Sequence, residues 1–129
     1  MSNEFLELVR FDDNGLVPVI AQQHDTGEVL MMGWMNRAAI EETLVTGWVC
    51  YWSRSRQKYW RKGESSGQVQ TLRELRVDCD GDTLLLLVDQ TGVACHTGHR
   101  DCFFRAVQGG AVAEIAPVLA TPESLYGDA

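Results

Sequence analysis

A chain of 129 residues is large enough to bury most of its unfolded surface around one core and too short to hold a second catalytic domain. Its formal charge of −7 argues against a surface that tracks a nucleic-acid backbone, which needs a basic face. No apolar run approaches the roughly 20 residues of a membrane-spanning helix, and MSNEFLELVRFDD carries acids where a secretory signal needs a basic region and an apolar core, so a cytoplasmic protein with neither membrane nor nucleic-acid partners is expected.

The first apolar stretches, LVPVIAQ (Leu16 to Gln22) and EVLMMGW (Glu28 to Trp34), flank HDTG and predict a β-hairpin, with Pro18 on a sheet edge because it cannot donate to a ladder. Asn36 is placed to cap RAAIEETLVT, a short helix ended by Gly47. WVCYW (Trp48 to Trp52) reads as a strand in which Cys50 is a buried apolar thiol. The polar run SRSRQKYWRKGESSG, Ser53 to Gly67, predicts a loop of about fifteen residues, a length that in compact domains usually marks function.

Val69 to Val77 predicts a strand, although TLRELR also fits a helix, and the apolar TLLLLVDQ (Thr83 to Gln90) predicts a central strand. FFRAV and AVAEIA are two further strand-like runs separated by Gly109 and Gly110. The end of the chain, from about residue 118 and including TPESLYGDA, has the composition of a frayed tail. Together these elements predict a single small β-rich α+β domain over residues 1–129, with one or two short helices.

Two segments carry metal-ligand chemistry. In DCDGD, Asp78, Asp80 and Asp82 alternate, so an extended backbone would present three carboxylates on one face and Cys79 on the other. Carboxylates suit magnesium and a thiolate suits zinc. An EF-hand is excluded, because its sixth position, here Thr83, must be glycine. In CHTGHRDC, Cys95 to Cys102, two thiols and two imidazoles fall within eight residues, and Gly98 lets the ends fold together. Taken with Cys79, this cluster offers three thiolates, the number a catalytic zinc holds while keeping a fourth position for water. A plainer reading makes the acids a solvated turn and the thiols and histidines ordinary core and surface residues.

These motifs bring a family into view. From GEVLMMGWMN (Gly27 to Asn36), through TGWVCYWSRSRQKYWRKGESSGQVQ and DCDGDTLLLLVDQ, to ACHTGHRDCFF (Ala94 to Phe104), the chain resembles the phosphoribosyl-AMP cyclohydrolases. These enzymes of histidine biosynthesis open the adenine ring of their substrate in the pathway's third step. The resemblance implies a folded mixed sheet forming a pseudo-barrel. It implies magnesium on Asp78, Asp80 and Asp82, zinc on Cys79, Cys95 and Cys102, and a homodimer in which Cys79 of one subunit completes the zinc site of the other. Two positions depart from the pattern: Gln68 stands where the family commonly has histidine, and Asp101 where a small hydroxyl residue is usual.

The implied reaction is hydrolysis at the N1–C6 bond of a nucleotide whose N1-ribosylation makes C6 electrophilic. Zinc lowers the pKa of bound water from about 15.7 towards 7, but three thiolates weaken that effect, so a nearby base is expected. His96, beside a zinc ligand, is the candidate. For two substrate phosphates the polar loop offers Arg54, Arg56 and Lys62 as charges, Ser53, Ser55, Ser65 and Ser66 as hydroxyls, and Gly63 and Gly67 for close backbone approach, with Glu64 among them. Trp52, Tyr59 and Trp60 are candidates to stack on the purine. A zinc nucleobase deaminase would carry H-x-E and P-C-x-x-C, which are absent. The competing class is a structural zinc module without turnover, its metal closed by His96 or His99 as fourth ligand and its partner bound through WSRSRQKYW.

Overall fold

Eight strands and three short helices form along residues 4–126, the part of the chain that this computed structural model describes. The order is α1 (Glu4–Leu8), β1 (Val17–Gln23), β2 (Val29–Met35), α2 (Arg37–Thr46), β3 (Cys50–Ser53), β4 (Lys58–Arg61), β5 (Gln70–Val77), β6 (Leu84–Gln90), β7 (Arg105–Gln108), β8 (Ala111–Glu114) and α3 (Pro122–Tyr126). A mixed sheet in the order β2-β1-β6-β5 is the centre, with the hairpins β3-β4 and β7-β8 beside it. This is the small α+β arrangement expected. No helix among the described residues is long and apolar enough to cross a membrane.

Strand period decides which side chains meet. In β1 and β6 every second residue is buried, which sends Val17, Val19 and Ala21 of β1 and Leu84, Leu86 and Val88 of β6 into one core. These six side chains are fully shielded from water; a buried valine or leucine contributes about 1.5–3 kcal/mol relative to an exposed one. β1 is interior, antiparallel to β2 and parallel to β6, so Pro18 is not on an edge strand. It is tolerated because the ladder with β6 starts one residue later, at Val19 opposite Leu84.

A chain of glutamines crosses this core. Tyr51 Oη donates to Gln70 Oε1 at 2.6 Å, Gln70 Nε2 to Gln90 Oε1 at 2.8 Å, and the Gln90 backbone N–H to Gln23 Oε1 at 2.9 Å. Each amide is buried and partnered, as a core demands of polar groups. The Gln90 amide also donates to the carbonyls of Gln68 at 3.1 Å and Val93 at 3.2 Å, which anchors two loops to the sheet.

α2 follows the sequence closely. Asn36 accepts from the Ala39 N–H at 2.8 Å, and Gly47, with φ +78°, closes the helix by donating to the Thr43 carbonyl at 2.9 Å. Glu42 holds Arg61 of β4 through two hydrogen bonds of 2.8 and 2.9 Å, tying the helix to the second hairpin. The polar run after Ser53 is therefore not one loop. Tyr59 and Trp60 pair with Trp52 and Tyr51 in β4, leaving a turn on either side, because aromatic pairing across a hairpin outweighs the surrounding charge. The end of the chain also differs from a frayed tail up to Tyr126: α3 buries Leu125, and Leu119 and Ala120 both donate to the Gly98 carbonyl.

Cys50 is fully buried, and burial, then the Glu42 carboxylate, pushes its thiol up to about 12 from 9.0. A pKa raised in the folded state means that the fold binds a proton the unfolded chain has released. The stabilisation is complete below pH 9 and is lost as pH rises through the folded value. In metal-free protein the urea midpoint of wild type should fall more steeply between pH 9 and 12 than that of Cys50→Ala. Parallel curves would show that Cys50 does not contribute.

Candidate active site

The β3-β4 hairpin and the turn after it form one wall of a hollow of about 650 Å³, a size that suits a small-molecule ligand. Ser53, Ser55 and Arg56 come from the hairpin turn, Lys58, Tyr59 and Trp60 from β4, and Lys62, Gly63, Glu64, Ser65 and Ser66 from the second turn. His96 joins them from a segment about thirty residues further along the chain. Three cations, Arg56, Lys58 and Lys62, face one carboxylate, Glu64, so the lining is positive in a chain of net charge −7. Such a hollow attracts anions.

Eight of the ten residues expected in the substrate loop line this hollow. Arg54 does not: its guanidinium lies 4.1 Å from the centre of the Trp34 ring and lines a separate depression with Trp52 and Asn36. Gly67 lies outside the lining and closes the turn, its N–H donating to the Gly63 carbonyl at 2.8 Å. Among the aromatic candidates, Tyr59 and Trp60 face the hollow, whereas Trp52 packs edge-on against Tyr59 at 5.0 Å. Lys58, which lines the same wall from β4, was not among the expected residues.

Lys62 links the hollow to the thiols. It is buried, and desolvation holds its ammonium below the usual lysine range, while Cys102 and Cys95 act in the opposite direction. No carboxylate forms an ion pair with it among the described residues. Cys95 is buried at the start of a tight turn, with the Gly98 N–H donating to its carbonyl at 2.9 Å. Gly98 has φ +92°, and a Cβ there would run into the Ala120 carbonyl, so the C-terminal segment closes over a turn that only glycine can make. Cys102 is tethered to β2 by its N–H, which donates to the Leu30 carbonyl at 2.8 Å. Its thiol is pushed up to about 12, by desolvation first and then by Cys95; Asp101 adds to the rise and Lys62 opposes it.

Within the turn, Thr97 Oγ1 lies 2.9 Å from Cys95 Sγ and 2.9 Å from His99 Nδ1. His99 is buried, stacked on Phe104 with ring centres 3.5 Å apart, and its Nε2 has no hydrogen-bond partner among the described residues. The two histidines of CHTGH thus diverge, His96 into the hollow and His99 into the interior.

Asp78, Asp80 and Asp82 do converge, but not by strand alternation. β5 ends at Val77 and DCDGD is a turn, in which Asp78 Oδ1 accepts from the N–H groups of Asp82 at 2.9 Å and Thr83 at 3.3 Å. Gly81, at φ +81°, lets α1 sit on this turn, because a Cβ there would collide with the Leu8 carbonyl. One ligand oxygen from each aspartate lies within 4.8 Å of the others, the only group of three or more His, Cys, Asp or Glu ligand atoms so placed among the described residues. Asp82 is raised by hydrogen bonds from Asp80 and then Asp78; at Asp78 desolvation is outweighed by hydrogen bonds, Asp82's first, and its carboxyl is lowered. Three exposed carboxylates crowded into one turn are a fitting donor set for a hard divalent cation. Cys79 stands exposed on the same turn and joins no such group with Cys95 and Cys102.

Gln68 has a structural place that its sequence context does not reveal. Its Oε1 accepts the Val93 N–H at 3.0 Å and its Nε2 donates to the Ser66 carbonyl at 3.3 Å, so it fastens the serine turn to the segment leading to Cys95.

A small α+β domain with a cationic hollow, an imidazole at its rim and a thiol pair behind it has the parts of a hydrolase for anionic substrates. The family model for phosphoribosyl-AMP cyclohydrolase matches residues 31–104, more than half of the chain. The phosphoribosyl-AMP cyclohydrolase of Rhodospirillum rubrum is 70% identical over 120 residues, covering 92% of this chain and 84% of that protein. Those of Granulibacter bethesdensis and Alcanivorax borkumensis are 67% and 66% identical, covering 98% and 96% of this chain and 99% and 87% of their own lengths. The chain belongs to the phosphoribosyl-AMP cyclohydrolase family.

Proposed function

We propose that this enzyme hydrolyses the N1–C6 bond of 1-(5-phosphoribosyl)-AMP in the cytoplasm as a homodimer, with zinc held by Cys79, Cys95 and Cys102 and magnesium by Asp78, Asp80 and Asp82. The observation that carries the reading is the position of His96, on the rim of a cationic hollow and next in sequence to a thiol that pairs with Cys102. Zinc supplies Lewis-acid activation of water when bound, and magnesium supplies positive charge for an anionic substrate.

The chain's own residues do the rest. Arg56, Lys58 and Lys62, with the hydroxyls of Ser53, Ser55, Ser65 and Ser66, bind the two phosphates, and Trp60 or Tyr59 covers the purine. His96 takes a proton from the attacking water as its oxygen bonds to C6. Breaking the N1–C6 bond then requires a proton at N1, so that one water is added across the bond. The soft ligand set fits zinc as far as one chain carries it: Cys95 and Cys102 adjoin, and each is held from its backbone. A third thiolate must come from elsewhere, and exposed Cys79 of a second copy is suited to supply it. Phe103, Val107, Val112, Ile115, Val118 and Leu119 are each at least half exposed, with Val107 at 75%, an apolar surface that a partner subunit would cover.

With zinc and magnesium, the purified protein should convert phosphoribosyl-AMP to the ring-opened carboxamide, followed as a change in purine ultraviolet absorbance. A folded, zinc-loaded dimer without turnover would overturn the reading in favour of a structural zinc module.

A further inference from the structure

The turn that carries Cys95 contains two polar groups the proposed reaction does not use. Thr97 Oγ1 stands between Cys95 Sγ and His99 Nδ1, 2.9 Å from each, and has one proton to give. Its direction follows from the far side of the imidazole. Were the hydroxyl to donate to Nδ1, a neutral His99 would carry its proton on Nε2, which is buried with no acceptor among the described residues. An orphaned buried N–H is rarer and costlier than an unfilled lone pair. The tautomer with the proton on Nδ1 is therefore preferred, and His99 donates to Thr97. Among the described residues the hydroxyl proton is then left one partner, the sulfur of Cys95.

The ring cannot easily turn to escape this arrangement. His99 stacks on Phe104 at 3.5 Å with planes 3° apart. Its backbone carbonyl accepts from the Cys95 N–H at 3.2 Å, and its strand-like pairing with Val118 fixes it from the other side. The structure is thus organised around a hydrogen bond pointing at one sulfur.

We propose that His99 and Thr97 are positioning residues for the metal centre: the His99 Nδ1–H holds the Thr97 hydroxyl as a fixed hydrogen-bond donor to the Cys95 thiolate. The inference rests on Cys95 as a zinc ligand. A donor on the sulfur draws electron density from it, so Cys95 gives less charge to the metal than a bare thiolate. In a ligand set of three thiolates, which otherwise leaves the metal poorly acidic, that restores part of the Lewis acidity the hydrolysis needs. Outer hydrogen bonds of this type also orient the ligand, and their removal typically costs about 10–100-fold in metal affinity.

The test uses cobalt(II) in place of zinc in the intact dimer, together with zinc affinity by chelator competition. In Thr97→Val, which keeps the shape and loses the hydroxyl, the sulfur-to-cobalt charge-transfer band should move to lower energy and the zinc dissociation constant should rise about 10-fold. Thr97→Ser should restore both. His99→Phe keeps the stack on Phe104 but frees the hydroxyl, and should give an intermediate shift. A wild-type band position and affinity in Thr97→Val would overturn the inference, as would a Thr97→Ser variant that behaves like Thr97→Val. Absence of the charge-transfer band from cobalt-loaded wild type would instead overturn the zinc reading on which the inference rests. Circular dichroism melts of each variant separate these outcomes from misfolding.

Discussion

Cys102→Ala should lose tightly bound zinc and all measurable turnover, and Cys95→Ala should do the same. With two protein ligands left of three, the metal is held neither tightly nor in an open tetrahedral geometry. The more informative form of the experiment mixes two dead proteins. If zinc is shared across a dimer, a heterodimer of Cys79→Ala and Cys102→Ala contains one site with all three thiolates intact, made from Cys95 and Cys102 of the first subunit and Cys79 of the second. Random exchange makes half of the dimers mixed, each with one working site of two, so activity should return to about a quarter of wild type. If all three thiolates came from one chain, every subunit in the mixture would lack a ligand and no activity would return. Bound zinc per subunit, measured on the same mixture, should recover in parallel.

That experiment tests what one copy of the chain leaves incomplete. Cys95 and Cys102 are neighbours because an eight-residue segment is folded at Gly98 and Cys102 is pinned to Leu30 of β2. Cys79 sits on the turn between β5 and β6, exposed, and joins no three-donor group with them. Period and spacing nominated all three residues, since thiol chemistry is readable from residue type. The proposed division between subunits is not readable, because a surface would set it. The exposed apolar residues that such a surface would use, such as Val107 and Val112 in the β7-β8 hairpin, look in sequence like any strand.

Legibility elsewhere followed the same line. α2 was predicted to the residue because its signals are local, an Asn36 cap and a Gly47 stop. β6 was recognisable as central because a run of four leucines and a valine needs cover on both faces, and β6 lies between β1 and β5 with Leu84, Leu86 and Val88 fully buried. The β4 strand was missed because its residues, KYWR, are charged at both ends, and what makes them a strand is pairing with Cys50–Ser53 across the turn. The place of Pro18 was misjudged for a similar reason: the edge rule holds per ladder, and the ladder with β6 begins after it. In DCDGD the three acids do converge, but a turn around Gly81 gathers them where alternation had been expected to. The hydrogen bonds of Gln68 and of the pair Thr97 and His99 had no sequence signal: Gln68 reaches Val93 across the fold, and the Thr97–His99 contact depends on how the turn at Gly98 closes.

His96→Gln should lower kcat by about 10²–10⁴-fold, the usual contribution of a positioned general acid or base, while leaving bound zinc and KM close to wild type. The argument is one of placement. His96 is exposed on the rim of the hollow, beside a buried Cys95, whereas His99 is turned inward, with Nδ1 engaged by Thr97 and its ring against Phe104. Of the two, only His96 can meet a substrate held by Arg56, Lys58 and Lys62. Glutamine keeps the size and a hydrogen-bonding end but cannot take up the proton, so binding survives and the chemical step does not. Zinc content decides between the enzyme and its rival. A structural module with a closed metal would use this imidazole as a fourth ligand, and His96→Gln would then release zinc much as Cys102→Ala does. Retained zinc with a collapsed kcat, set beside the lost zinc of Cys102→Ala, assigns the imidazole to the reaction and the thiols to the metal.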